Sequence, residues 1–239
     1  MKQIENAPYY FAAANSYGGF ISYFDRIFGS ENFDRVFVLK GGPGTGKSSF
    51  MKRLAHTLSE SGAQLELFRC SSDPSSLDGV IAESTSGRIA VVDGTAPHER
   101  DAIIPGAVDE IINLGENWNE RWLRAERSRI EPLCHEKSRA YRTAYYYLSL
   151  AGHAAERMLS LAKSELNEKK LVSSIKSLAE SIILNVNDKQ EGKSKLRLIG
   201  AVGKSGRSRL DTLERISKRK FTIRGSEEQT LIFITRLAE

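Results

Sequence analysis

Residues Gly41-Gly42-Pro43-Gly44-Thr45-Gly46-Lys47-Ser48 fit the pattern G-x-x-x-x-G-K-[ST] at every fixed position. Glycines admit backbone conformations that other residues resist, so successive N–H groups can turn toward one anion. A helix starting near Lys47 adds the positive end of its dipole. In such an arrangement Lys47 reaches the β and γ phosphates of a nucleoside triphosphate, and the Ser48 hydroxyl is placed to ligate Mg2+. Ser49 stands where a side chain can meet the α-phosphate. The competing reading is a glycine-rich turn that matches by chance. An apolar strand pattern before the loop and an amphipathic helix pattern after it weigh against that.

A second carboxylate is needed at the end of a neighbouring strand to hold Mg2+ through water. Asp93 closes the run RIAVVD and is the natural candidate, with Lys47 the other residue expected to act in the chemistry. The alternative for Asp93 is a turn role, since Asp-Gly is common turn chemistry. Asp93 is followed by Gly94 where many ATPases place a glutamate that orients water, which argues against fast intrinsic hydrolysis. Cys70, Ser71, Ser72 and Asp73 follow one strand, and Thr95, Pro97, His98, Glu99 and Arg100 follow another. In open α/β sheets ligands lie beyond the carboxyl ends of the strands. His98 or Glu99 is thus a candidate to position water, and Arg100 to contact phosphate; each also reads as an ordinary loop residue. Asp73 and Asp78 are alternatively caps of a short helix. Cys134-His135 with the distant Cys70 lacks zinc-site spacing. No N-K-x-D guanine reader and no L-S-G-G-Q signature occurs, which points to ATP rather than GTP.

These residues need a scaffold. VFVLK (36–40), QLELFRC (64–70) and RIAVVDG (88–94) read as strands, and SSFMKRLAHTLSES (48–61), with Phe50, Leu54 and Leu58 at helical spacing, as a helix. YYFAAA (9–14) is a further candidate strand, FISYFDRIF (20–28) a candidate helix, and 71–84 a turn followed by a short helix-like pattern. Strands alternating with helices argue for an α/β fold with a parallel sheet flanked by helices. From Trp118 to about Ile183 the pattern is helical. Tyr141, Tyr145, Leu148, Ala151, Ala155, Met158 and Ala162 form one apolar stripe, read as packing surface, and Pro132 is expected to start or kink a helix. The expected organisation is an α/β core over 1–117, a helical insertion or arm over 118–188, and a basic tail over 189–239.

The chain has 239 residues, 40% hydrophobic and 27% charged, which excludes collagen-like, disordered and membrane-embedded classes. Two cysteines imply no disulfide framework and favour a reducing compartment. MKQIENAPYY lacks a signal-peptide core and no apolar run nears the roughly 20 residues of a membrane span, so a cytoplasmic setting without a membrane partner is expected. The net charge of +5 is unevenly spread: residues 1–117 carry 10 basic and 15 acidic residues, and 118–239 carry 25 and 15. Residues 189–224 alone hold 12 basic residues against three acids, which raises a nucleotide-regulated nucleic-acid module as one alternative. A single aromatic there, Phe221, makes it the weakest one. A small-molecule or nucleotide kinase is another, with Arg121, Arg124, Arg127 and Arg129 as a lid or, more simply, a solvated helix face.

The tail repeats the beginning in outline. KFTIRG (220–225) matches VFVLKG (36–41), and TRLAE (235–239) matches KRLAH (52–56). Together GGPGTGKSSFMKRLA, CSSDPSSLDGV and VVDGTAPH resemble a group of bacterial P-loop ATPases of unassigned role, over roughly residues 8–239. Members of that group resemble two successive P-loop halves with a helical insertion after the first. The resemblance implies a P-loop NTPase fold, ATP and Mg2+ binding and a cytosolic setting, and no particular substrate. The expected function is a Mg-dependent ATPase, slow or stimulated by a partner. The chain departs from the pattern in its second loop, Gly225-Ser226-Glu227-Glu228-Gln229-Thr230-Leu231, which lacks the later glycines and the lysine. A shortened member, or a tail turned into an extra strand and helix, would explain this, with LRLIGAV (196–202) and KFTIR (220–224) expected to dock on the first sheet.

Overall fold

A computed structural model describes residues 4, 6–183, 195–218, 220 and 222–238. In chain order the strands are β1 (Tyr9–Phe11), β2 (Ala13–Ser16), β3 (Gly19–Ser22), β4 (Arg35–Lys40), β5 (Gln64–Arg69), β6 (Leu77–Ser84), β7 (Gly87–Asp93), β8 (Asp109–Asn113), β9 (Gly200–Gly203) and β10 (Gly206–Arg209). The helices are α1 (Phe24–Ile27), α2 (Lys47–Glu60), α3 (Glu120–Ala125), α4 (Arg127–Ser164), α5 (Glu168–Ile183), α6 (Thr212–Ile216) and α7 (Glu227–Ala238).

Successive side chains of a strand point to opposite faces. In β4, Val36 and Val38 enter one core cluster while Leu39 enters the other, so the strand is covered on both sides. β7 follows suit, with Ala90 and Val92 on one face and Val91 on the other. The result is a mixed α/β protein around a six-stranded sheet of order β1-β5-β6-β7-β4-β8. β1 pairs parallel with β5, and β4 pairs parallel with β7 and β8. Only β6 runs antiparallel, to both β5 and β7. The carboxyl ends of the five parallel strands therefore share one edge.

β6 replaces the short helix expected in 71–84. All residues from Leu77 to Ala82 are buried, as befits a central strand covered on both faces, so no two-residue alternation marks it. Gly79 lets this strand pass under Phe28, whose Cζ would lie 2.5 Å from a Cβ there. The expected helix over 20–28 is likewise shorter: β3 pairs with β2, and only Phe24–Ile27 is helical. Phe24, Ile27, Phe28 and Phe33 cover one face of the sheet. On the other face α2 buries Met51 and Ala55, with Leu54 and Leu58 packed alongside. Phe50, expected on that face, is 39% exposed; the buried stripe lies one residue further on.

The helical region consists of α3, the 38-residue α4, and α5. Pro132 neither starts nor ends α4 but lies within its second turn. Gly152 allows α4 to approach Tyr17, whose Cβ would be 2.2 Å from an added Cβ, and Tyr145 Oη donates to Asn15 Oδ1 at 2.7 Å. Tyr145, Leu148 and Ala162 are half-buried, whereas Tyr141, Ala151, Ala155 and Met158 of the expected stripe are exposed. α7 packs against both α4 and α5 and buries Ile232.

The described part of the tail docks on the sheet edge. Phe11 and Leu198 exchange backbone hydrogen bonds at 2.7 and 3.2 Å. The β9–β10 hairpin packs on β2, and Asn15 Nδ2 donates to the Val202 carbonyl at 2.6 Å. Thr212 Oγ1 accepts from Tyr9 N and donates to Tyr9 O. Residues 220 and 222–224 form no strand, and Phe221 lies outside the described residues. Much of the tail's positive charge works inside the molecule. Lys195 and Arg197 hold Glu66, Lys204 holds Asp73, Arg207 holds Glu227 and Arg209 holds Glu214. Among the described residues no helix is long and apolar enough to cross a membrane.

Candidate functional site

The glycine-rich loop leaves β4 at the carboxyl edge of the sheet and runs into α2. Gly41, Gly44 and Gly46 have φ of 144°, 82° and 88°, a region that side-chain-bearing residues rarely adopt. Gly46 is the residue before the helix, and α2 begins at Lys47 with no side-chain cap. The first N–H groups of a helix have no partner within it, so this end is open to an acceptor. Thr45 braces the loop from inside, its Oγ1 donating to the Gly42 carbonyl at 2.9 Å. Lys47 folds back along the loop and donates to the carbonyls of Gly41 and Gly42 at 2.6 and 3.1 Å. Pro43 and Ser49 are exposed. Ser48 Oγ accepts from Leu77 N at 2.9 Å, which ties the start of α2 to the start of β6 and leaves the hydroxyl a second lone pair.

β7 lies directly beside β4, so Asp93 reaches the same place. Its Oδ2 is 3.7 Å from Lys47 Nζ, while its Oδ1 accepts from Thr95 N and Thr95 Oγ1 at 2.9 and 2.6 Å. One oxygen is thus fixed by the turn and the other faces the loop. The metal and turn readings of Asp93 are compatible in this geometry. Among the described residues no cluster of three or more His, Cys, Asp or Glu side chains suits a metal, so a hard cation here would take most of its ligands from phosphate and water.

The remaining candidates fall elsewhere. His98 is buried, stacked on Phe24 with centroids 4.3 Å apart. Its Nδ1 lies 3.1 Å from the Asp93 carbonyl and its Nε2 3.4 Å from Asp78 Oδ2, so both ring nitrogens face acceptors. Burial opposes the charged ring, but the Asp78 and Asp93 groups outweigh it and raise its pKa above 6.5. His98 is therefore a brace behind Asp93 rather than a water-positioning group. Its contribution to stability is complete below about pH 6.5 and fades as pH rises through the raised folded value. Urea midpoints should fall between pH 6 and pH 8.5, and His98→Phe should flatten that slope.

Arg100 does not reach the loop. It is buried with Asp109, whose Oδ1 lies 3.3 Å from its Nη2. Glu99 is exposed. Asp73 caps no helix; it makes a turn with Ser75 and pairs with Lys204 at 2.8 Å, and Lys204 leads the groups that hold its carboxyl down to about 2. Cys70 is pushed up to about 11 by burial and by Asp78, so its thiol stays protonated. Iodoacetamide at pH 8 should label the exposed Cys134 rapidly and Cys70 only on unfolding, read by mass spectrometry. Of the four candidate lid arginines, Arg124, Arg127 and Arg129 pair with Glu120, Glu131 and Glu126 on the same helical segment and remain about 80% exposed.

No family model, curated protein or solved structure matches this chain.

Two residues to which the sequence assigns no site role lie beside the loop and Asp93. Lys40, the last residue of β4, donates to the Gly94 carbonyl at 2.9 Å and pairs with Asp101 at 2.7 Å, so it fastens the segment after Asp93. Trp118 lies against the loop, its Cζ2 2.9 Å from where a Cβ on Gly42 would be. A lysine ending a strand carries no signal, but a tryptophan just after a strand is one that could have been noted.

Proposed function

We propose that this chain is a Mg2+- and ATP-binding NTPase of the P-loop kind, acting as a slow or partner-stimulated ATPase. The observation that carries the reading is the convergence of three groups on one point. An uncapped helix start, the Lys47 ammonium and the Asp93 oxygen that faces it meet at the mouth of a loop with three left-handed glycines. The first two favour a polyanion and the third favours a cation that accompanies it.

The donor set suits ATP with Mg2+. The loop and the first turn of α2 would hold the phosphates, and Lys47 would exchange its carbonyl contacts for phosphate oxygens. Ser48 and Asp93 would hold the cation, Ser48 directly and Asp93 through water. Mg2+ supplies charge neutralisation to the transferring phosphoryl group. The chain's own part is to bind, orient and neutralise. Gly94, not a carboxylate, comes directly after Asp93, and the His98 ring is held by its own partners, which supports low intrinsic turnover. The cytoplasmic setting expected from the sequence is part of the same proposal.

The test is phosphate release. Wild-type protein with Mg–ATP is expected to turn over slowly, and Asp93→Asn is expected to lower the rate at least tenfold with nucleotide binding weakened less. Phosphoryl transfer to nucleosides or sugars faster than phosphate release would replace the ATPase reading with a kinase.

A further inference from the structure

We infer that Trp118 is the platform on which the nucleobase of the bound nucleotide lies. The inference rests on the nucleotide reading above and adds the base end to it. β4 has two neighbours in the sheet. β7 brings Asp93 beside Lys47, so the cation and terminal phosphates belong on that side. The base then leaves the loop toward the other neighbour, β8, whose last residue Asn113 pairs in register with Lys40.

The chain beyond β8 is folded back onto the loop. Asn113 Oδ1 accepts from Gly115 N at 3.0 Å, and the turn closes with Trp118 N donating to the Gly115 carbonyl at 3.0 Å. Asn119 Oδ1 then accepts from Trp122 N at 3.1 Å and starts α3, which fixes the backbone on the far side. The indole edge contacts the loop because Gly42 has no side chain to keep it away. Yet Trp118 remains 44% exposed, a large apolar ring held at both backbone ends beside an anion site. Aromatic platforms bind every base through its π-face, so stacking here is tolerant of base identity and favours the larger purines.

The decisive experiment compares Mg–ATP with Mg–tripolyphosphate, which has the phosphates without the base. The chain has two tryptophans, so Trp122→Phe leaves Trp118 as the only indole reporter. Mg–ATP is expected to bind about tenfold more tightly than Mg–tripolyphosphate and to quench Trp118 fluorescence. Trp118→Ala should erase that affinity gap while leaving tripolyphosphate binding unchanged, and Trp118→Phe should keep most of it. An unchanged gap in Trp118→Ala, or ATP binding that leaves Trp118 fluorescence unaltered, would overturn the inference and leave the nucleotide reading standing. If neither ligand binds, the nucleotide reading falls and the inference with it.

Discussion

Replacing Asp109 by alanine is expected to cost roughly 3–5 kcal/mol of stability, because it breaks a buried ion pair from one side. Asp109 and Arg100 are 2% and 3% exposed. Asp109 Oδ2 accepts from Ile103 N and Ile104 N at 3.1 and 2.7 Å, and Ser30 Oγ donates to both carboxylate oxygens. Burial works against this carboxylate, and the Ile104 N–H, Ser30 and Arg100 outweigh it, so its pKa is lowered. Among the described residues the buried Nε and Nη1 of this guanidinium have no hydrogen bond, and the nearest carboxylate to Nη1 besides Asp109 is Asp25 at 3.8 Å. Without Asp109 that charge is stranded in the core, and three donors lose their acceptor. Asp109→Asn keeps an acceptor and should cost less. Urea unfolding measures both, and a loss under about 1 kcal/mol in the alanine variant would contradict this account. The pair also serves the site, since it joins the segment after Asp93 to the first residue of β8, the two flanks of β4.

Lys47→Ala should weaken Mg–ATP binding by about 100-fold. A charge-assisted hydrogen bond contributes about 1.5–3 kcal/mol, and the ammonium is positioned for two phosphates, so the lower end of that range applied twice gives such a factor. The fold should barely change. Lys47 makes its contacts with loop carbonyls and Asp93 at the sheet edge, away from both core clusters. The comparison is by equilibrium titration, with circular dichroism to show that the variant is folded. A Lys47→Ala protein that binds ATP as tightly as the wild type would remove Lys47 from the role given to it.

The core of the site was legible because each part has a local signature. The glycine pattern, the β-branched strands before the loop and before Asp93, and the helix after Gly46 appear where those signatures fall. What the sequence hid depends on partners distant in the chain. Asp78, His98 and Arg100 look like cap or loop residues until β6, β7 and β8 are set side by side, when they enter two buried pairs, His98 with Asp78 and Arg100 with Asp109. β6 was missed because a strand buried on both faces shows no alternation, and its Asp78 disguised the run. In the tail, Ser226-Glu227-Glu228-Gln229 of the second loop opens a helix, a role set by its own side chains: Ser226 Oγ accepts from Gln229 N, and Gln229 Oε1 from Ser226 N, at 3.2 and 3.3 Å. The charge asymmetry has a comparable explanation. Glu66 and Asp73 in the acidic first part are partners of Lys195, Arg197 and Lys204 in the basic tail, so part of the split is the two halves binding each other.

On the proposed function, the loop at 41–48 with Asp93 is a site for a magnesium–nucleoside triphosphate. Isothermal titration of ATP into the full chain, with Mg2+ and again with EDTA, tests it most directly. Saturable binding at one site per chain is expected in Mg2+, markedly weaker in EDTA. No saturable binding at millimolar ATP, or binding of equal strength with and without Mg2+, would contradict it.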